Sequence, residues 1–316
     1  MFYTTTLAME QVRKMKTVRL GKSGILGLLL ACAFLAAGCG ESPTGADESE
    51  REAGRETVEA MSREHSDDTT EPSPAAEIAP ARDVISDSKM AYAEVGDQNV
   101  YGYWSAPADA FEPLPAVIMI HEWWGLNDNI RAMADRLAAE GYMVLAVDLY
   151  GGKTASTPED ARALMLNVVE DPDLARDNIR GAYRFLEAIG APRIGSLGWC
   201  FGGGWSLNAA QLFPDDLDAS VIFYGQVTDD EEKLRPVNVP ILGLFAAEDT
   251  GIKVATAVAF GEALERLRKE HEIHIYPGVG HAFANPTGRH YNAEAANDAW
   301  LKTIEFLGRH LSDEES

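Results

Sequence analysis

The sequence predicts an α/β fold, a mostly parallel sheet with helices on both faces. Three observations carry this. Short continuous apolar runs rich in β-branched residues, such as Ala116-Val117-Ile118-Met119-Ile120, have the pattern of strands buried on both faces. Longer stretches with helix start and stop signals lie between them. The two kinds of segment alternate from about Ile85 to Leu311, and repeated strand–helix units argue for a parallel sheet.

Tyr92–Val95 and Val100–Ser105 are expected to add an antiparallel edge ahead of the first buried strand, Ala116–Ile120. A helix follows from about Asn129 to Glu140, with Gly141 as its terminator, and Tyr142–Val147 is the second buried strand. Thr157-Pro158-Glu159-Asp160 combines an N-cap, a first-turn proline and early acids, a helix start. Asp171-Pro172 opens another helix, which stops at Gly190. Strands recur at Arg193–Leu197, Ala219–Tyr224, Ile241–Phe245 and Glu272–Tyr276, with helices between them. A last amphipathic helix covers about Asn292 to Leu311.

The N-terminus is predicted to be an address. Arg13, Lys14, Lys16, Arg19 and Lys22 precede an apolar stretch, Gly24 to Ala37, that is short against the roughly 20 residues of a membrane span. Small residues then lead to Cys39, an export-signal pattern that resembles a bacterial lipoprotein signal in which Cys39 is lipidated. Residues 1–38 are therefore expected to be a signal peptide and the protein an exported, membrane-anchored lipoprotein of a bacterial cell envelope. Residues 39–85, acidic and poor in aliphatics, are expected to form a disordered tether, and 86–312 a single globular domain.

The 316 residues carry a net charge of −23. That argues against nucleic acid as a partner, because phosphate binding needs a basic surface. Of the three cysteines, Cys32 lies in the apolar segment and Cys39 at the processing site. Only Cys200 remains in the domain, so it is either a small buried hydrophobe or a reactive thiol.

Its surroundings point to chemistry. Gly198-Trp199-Cys200-Phe201-Gly202 follows one strand directly and leads into a helix, the nucleophile-elbow pattern of α/β-hydrolases with cysteine in place of serine. The glycines relieve collisions in a sharp turn, and the helix N-terminus favours a thiolate and later an oxyanion. On this fold the acid and base should follow in that order. Asp249 lies after the Ile241–Phe245 strand, with Glu248 as its rival, and His281 stands in the Gly/Pro-framed loop after the last strand. His271, His274 and His290 are read as surface or packing residues, and His121 as structural or pocket-lining. His121-Glu122-Trp123-Trp124-Gly125-Leu126-Asn127 occupies the loop where this fold places the other oxyanion donor. A carboxylate at Glu122 beside two tryptophans needs a partner, for which the Cys200–His281 pair is the natural choice.

The motifs His121-Glu122-x-x-Gly125-Leu126-Asn127, Asp148-Leu149-Tyr150, Gly198-Trp199-Cys200-Phe201-Gly202-Gly203 and Gly280-His281-Ala282-Phe283 resemble the dienelactone hydrolase family. The resemblance implies a single α/β-hydrolase domain with a triad at Cys200, Asp249 and His281. It further implies that Glu122 holds the resting thiol, and that the backbone N–H groups of Trp123 and Phe201 form the oxyanion hole. Two arginines that hold a substrate carboxylate in the family are absent. Gly152, beside Lys153, stands at one position and Asn285 at the other.

The expected activity is cleavage of a small-molecule ester or lactone through an acyl-enzyme, without metal or organic cofactor. A neutral substrate is expected, in a pocket lined by Trp124, Tyr150, Lys153, Trp199, Phe283 and Asn285. A monomer is favoured. The rivals are a thioesterase or peptidase on the same fold, and a non-catalytic envelope-tethered binding protein.

Overall fold

The computed structural model describes residues 48–66, 82–96 and 98–312. The elements in chain order are α1 (Glu48–Glu64), β1 (Val84–Val95), β2 (Gln98–Pro107), β3 (Ala116–Ile120), α2 (Asp128–Ala139), β4 (Met143–Val147), α3 (Pro158–Glu170), α4 (Pro172–Ala188), β5 (Ile194–Trp199), α5 (Phe201–Leu212), β6 (Ala219–Phe223), α6 (Glu231–Leu234), β7 (Ile241–Ala246), α7 (Val254–Arg266), β8 (His271–Tyr276) and α8 (Ala293–Leu311). The strands form one sheet in the order β1-β2-β4-β3-β5-β6-β7-β8. β1 pairs antiparallel with β2, and β2 with β4, while every pairing from β4 to β8 is parallel. The fold is α/β, as predicted, with the antiparallel edge in the predicted place.

Local chemistry accounts for the elements. β3, β4, β5, β6 and β7 are buried at every residue, which is why their sequences run apolar without alternation. Helix starts are capped as their sequences suggest. Asn127 accepts from the Ile130 amide ahead of α2, Thr157 from the Asp160 amide ahead of α3, and Asn292 from the Ala295 amide ahead of α8. Gly141 and Gly190 follow their helices at φ +108° and +91°, conformations that glycine adopts without strain.

One correction concerns the expected tether over 39–85. Residues 48–64 form α1, and its Val58 and Met61 are buried against the domain. The acidic composition conceals a narrow stripe, Val58, Met61 and His65, at helical spacings of three and four. Burying Val58 and Met61 contributes on the order of 1.5–3 kcal/mol each. That outweighs any one of the half-exposed ion pairs of Arg55 with Glu170, Glu59 with Arg162 and Glu50 with Arg176, pairs worth at most about 1 kcal/mol each. Gly54 lets the helix approach α3 closely, because a Cβ there would meet Val169 at 2.6 Å. The predicted signal peptide, Cys39 and most of the remaining tether lie outside the described residues. No helix among those described is long and apolar enough to cross a membrane.

Candidate active site

Cys200 sits on the turn between β5 and α5 at φ 56°, ψ −118°, a left-handed backbone that an L-residue adopts only under constraint. The constraint is tight packing. A Cβ on Gly202 would lie 2.2 Å from the Ile120 carbonyl oxygen, and one on Gly198 would lie 2.0 Å from that of Gly202. The Cys200 amide donates to the Phe223 carbonyl at 3.0 Å, and its carbonyl accepts from the Gly203 amide at 3.0 Å. The thiol is thereby held at the C-terminal edge of the parallel strands, with the N-terminus of α5 behind it.

His281, in the loop after β8, is fully buried. Its Nδ1 meets Asp249 Oδ2 at 2.6 Å. Asp249 Oδ1 accepts from the Gly251 and Ile252 amides at 2.8 and 2.7 Å, which fixes the carboxylate. It is Asp249, not the rival Glu248, that faces the imidazole. With Nδ1 engaged, Nε2 is the ring nitrogen available toward Cys200. The Sγ atom of Cys200 and one ring nitrogen each of His281 and His65 lie within 4.8 Å of one another.

The electrostatics follow from this enclosure. Burial pushes the Cys200 thiol up, but His281 and His65 beside it prevail and bring it down to about 6. Burial pushes His281 down, yet the facing thiolate and Asp249 hold it well above the ordinary histidine value. The resting pair is therefore a thiolate facing an imidazolium. Glu122 is also buried, and desolvation followed by the Cys200 charge raises its carboxyl to about 7.

Around this centre, second-tier hydrogen bonds shape the loop after β3. His121 Nε2 accepts from the Leu149 amide at 3.1 Å. The proton therefore sits on Nδ1, which donates to the Glu122 carbonyl at 2.6 Å. Burial pushes the His121 pKa down, so the ring stays neutral and acts as a structural latch between two loops. Tyr150 donates through its hydroxyl to the Trp123 carbonyl at 3.2 Å, bracing the peptide that sequence reasoning placed in an oxyanion hole with Phe201, the first residue of α5.

The expected pocket wall needs correction. The cavity that reaches Cys200 has a volume of about 310 Å³ and is walled by Met61, Met165, Val169, Phe201, Trp205 and Ile252 among others. None of the six predicted pocket residues lines it. Trp124 packs on Trp123 with ring centroids 4.9 Å apart, and Phe283 is fully buried between Tyr224 and Tyr276. Trp199 packs on Phe223 and borders a small void of about 70 Å³. Tyr150 and Lys153 line a different cavity of about 770 Å³. Asn285 donates to Glu122 Oε2 at 2.9 Å, while its own oxygen accepts from the Thr287 amide and hydroxyl. Trp124, Trp199 and Phe283 belong to motifs that flank the reacting groups, but their side chains turn into the core, while Lys153 is exposed.

Two residues at the centre escaped sequence reasoning. Met61 Sδ lies 3.5 Å from Cys200 Sγ, and the His65 ring packs 4.7 Å from Trp123 and 5.4 Å from His281. Both come from α1 and the turn after it. The signal available was their spacing of four with Val58 one turn earlier, in a segment otherwise charged.

A parallel sheet carrying a nucleophile elbow, with a histidine–carboxylate pair in the loops beyond it, defines an α/β-hydrolase. Residues 100–311 match the dienelactone hydrolase family, and the chain belongs to that family, whose members are hydrolytic enzymes acting on esters or lactones. It is 36% identical over 235 residues to a protein of Saccharolobus solfataricus provisionally named a carboxymethylenebutenolidase, covering 62% of this chain and 90% of that one. A solved structure from Klebsiella pneumoniae, provisionally described as a dienelactone hydrolase, is 26% identical. It covers 72% of this chain and 100% of its own, with a TM-score of 0.65. An acylaminoacyl peptidase of Pyrococcus horikoshii, 18% identical with a TM-score of 0.58, covers 75% of this chain and 43% of its own, a likeness of fold alone.

Proposed function

We propose that the protein hydrolyses a neutral carboxylic ester or lactone through Cys200, His281 and Asp249. The observation that carries this reading is the 2.6 Å contact of His281 Nδ1 with a carboxylate that two amides hold in place, set beside a buried thiol on a strained turn. In the reaction, the Cys200 thiolate attacks the carbonyl carbon, and the oxyanion is received by the amides of Trp123 and Phe201. His281 delivers a proton to the leaving alcohol, and water activated by the same ring then releases the acid. Glu122, held by Asn285, accompanies the resting thiol. Attack by a thiolate requires no metal or organic cofactor.

A neutral substrate fits the cavity at Cys200, whose wall combines apolar side chains with Glu50 and Lys233 but includes no arginine to clamp a carboxylate bidentately. A buried substrate carboxylate without such a partner would be costly. The N-terminal pattern supports a further part of the reading, an exported lipoprotein anchored through Cys39.

Hydrolysis of a neutral ester and of its carboxylated analogue, matched in leaving group, tests this reading. Wild type should favour the neutral compound in kcat/KM. Cys200→Ala and His281→Ala should each lower kcat by on the order of 10⁴-fold or more. A variant that keeps a tenth of wild-type turnover removes its residue from the mechanism. A tenfold preference for the carboxylated compound overturns the neutral assignment.

A further inference from the structure

The docked segment changes the chemistry available at Cys200. Met61 and His65, four residues apart, project from one face of α1 and the turn that continues it. They bring a thioether and an imidazole to a thiolate and a second imidazole. Among the described residues, His65, Cys200 and His281 are the group of buried histidine, cysteine and acidic side chains whose donor atoms converge closely enough to hold a metal ion. Met61 Sδ adds a fourth donor 3.5 Å from Sγ.

We propose that Met61, His65, Cys200 and His281 form a site for a thiophilic cation of closed d shell, Cu⁺ or Zn²⁺. Soft thiolate and thioether donors select such ions, and two imidazoles suit both. Around a tetrahedral centre with metal–sulfur bonds of about 2.3 Å and metal–nitrogen bonds of about 2.0 Å, donor atoms stand about 3.3–3.8 Å apart. The Met61–Cys200 separation already falls in that range. The imidazoles need to close in by at most about 1.5 Å, starting from separations within 4.8 Å. Met61 is an unbranched side chain suited to such an adjustment. The outer shell fits as well. Asp249 accepts from His281 Nδ1 at 2.6 Å, the carboxylate–histidine arrangement that orients a metal-ligating ring and leaves Nε2 to bind. Binding is coordination only. The proton on Nε2 of the His281 imidazolium, and any proton on sulfur, pass to solvent as the ion takes their place, no electron moves, and the nucleophilic sulfur is masked while the ion is bound.

This inference does not rest on the hydrolytic reading, although the two share Cys200 and His281. The test is an anaerobic titration of the full chain with Cu⁺ or Zn²⁺, each buffered by a competing chelator. Bound metal is measured together with iodoacetamide labelling mapped by mass spectrometry to Cys200. Wild type should bind one equivalent and protect Cys200 from labelling at least tenfold. His65→Gln should weaken binding of either ion by about tenfold or more. Met61→Leu, which keeps the volume of the helix contact, should weaken Cu⁺ by a similar factor while leaving Zn²⁺ unchanged. The site is overturned if neither ion protects Cys200, or if both variants bind and protect as wild type does. The readouts are stoichiometry and thiol protection, so failure to hydrolyse esters leaves this result standing, and failure to bind metal leaves the hydrolytic reading standing.

Discussion

At the scale of single residues, the site is governed by a contest between burial and charge. Cys200 is 4% exposed, and desolvation alone would keep its proton on. The neighbouring imidazoles reverse that outcome and bring the thiol to about 6. The direction of the pH dependence follows. Above about 7 the thiolate predominates, and labelling of Cys200 by iodoacetamide should be fast and flat with pH. As pH falls through about 6 the thiolate takes up its proton and the rate should drop. In His281→Ala the inflection should move up toward the ordinary cysteine range of about 8.5. An inflection near that ordinary value in wild type would show that the pairing with His281 does not govern the thiol.

At the scale of elements, two junctions matter: the elbow between β5 and α5, and the contact of α1 with the domain. The elbow tolerates no added atom. Gly202→Ala places a carbon 2.2 Å from the Ile120 carbonyl oxygen, a backbone collision that should cost about 2–3 kcal/mol or more. In a domain of this size that corresponds to a fall of roughly 5–10 °C in Tm, with activity lost alongside. Gly308→Ala is the internal control. A Cβ there meets nothing within 4 Å, and removing glycine from the interior of α8 should stabilise by about 0.5–1 kcal/mol. Equal melting points for the two variants would refute the steric account. The α1 contact depends on apolar burial more than on its surface ion pairs. Val58→Asp should therefore undock the helix, seen as faster hydrogen exchange over 48–66 with β3 to β7 unchanged. Retained protection there would mean that the ion pairs suffice.

At the scale of the whole molecule, the proposed export signal is the feature that decides where the chemistry takes place. Cys39→Ala should release the protein from the membrane fraction or leave it unprocessed. Unchanged mass and unchanged fractionation would sink the lipoprotein reading. The net charge of −23 acts at this scale too, through solubility and long-range repulsion.

The sequence by itself determined the α/β class and the order of nucleophile, acid and base along it, and narrowed the centre to Cys200, His281 and one of the adjacent Glu248 and Asp249. These features are local. Buried strands need apolar runs, an elbow needs small residues beside its nucleophile, and the acid and base follow particular strands. Only the tertiary structure decided between Glu248 and Asp249, because both stand in one loop and only one carboxylate turns toward His281. Only it could show that Trp124, Trp199 and Phe283 belong to the core and that Asn285 serves Glu122. Proximity in a motif does not say to which side of a strand or loop a side chain points. The docking of α1 was hidden for a related reason. Its average composition is that of a solvated segment, and three side chains of the stripe gain their meaning from a groove assembled out of α3, α5 and the loop after β7. The convergence of Met61, His65, Cys200 and His281 spans more than 200 positions of chain, and contact at such separation is set by packing and cannot be read from any local pattern.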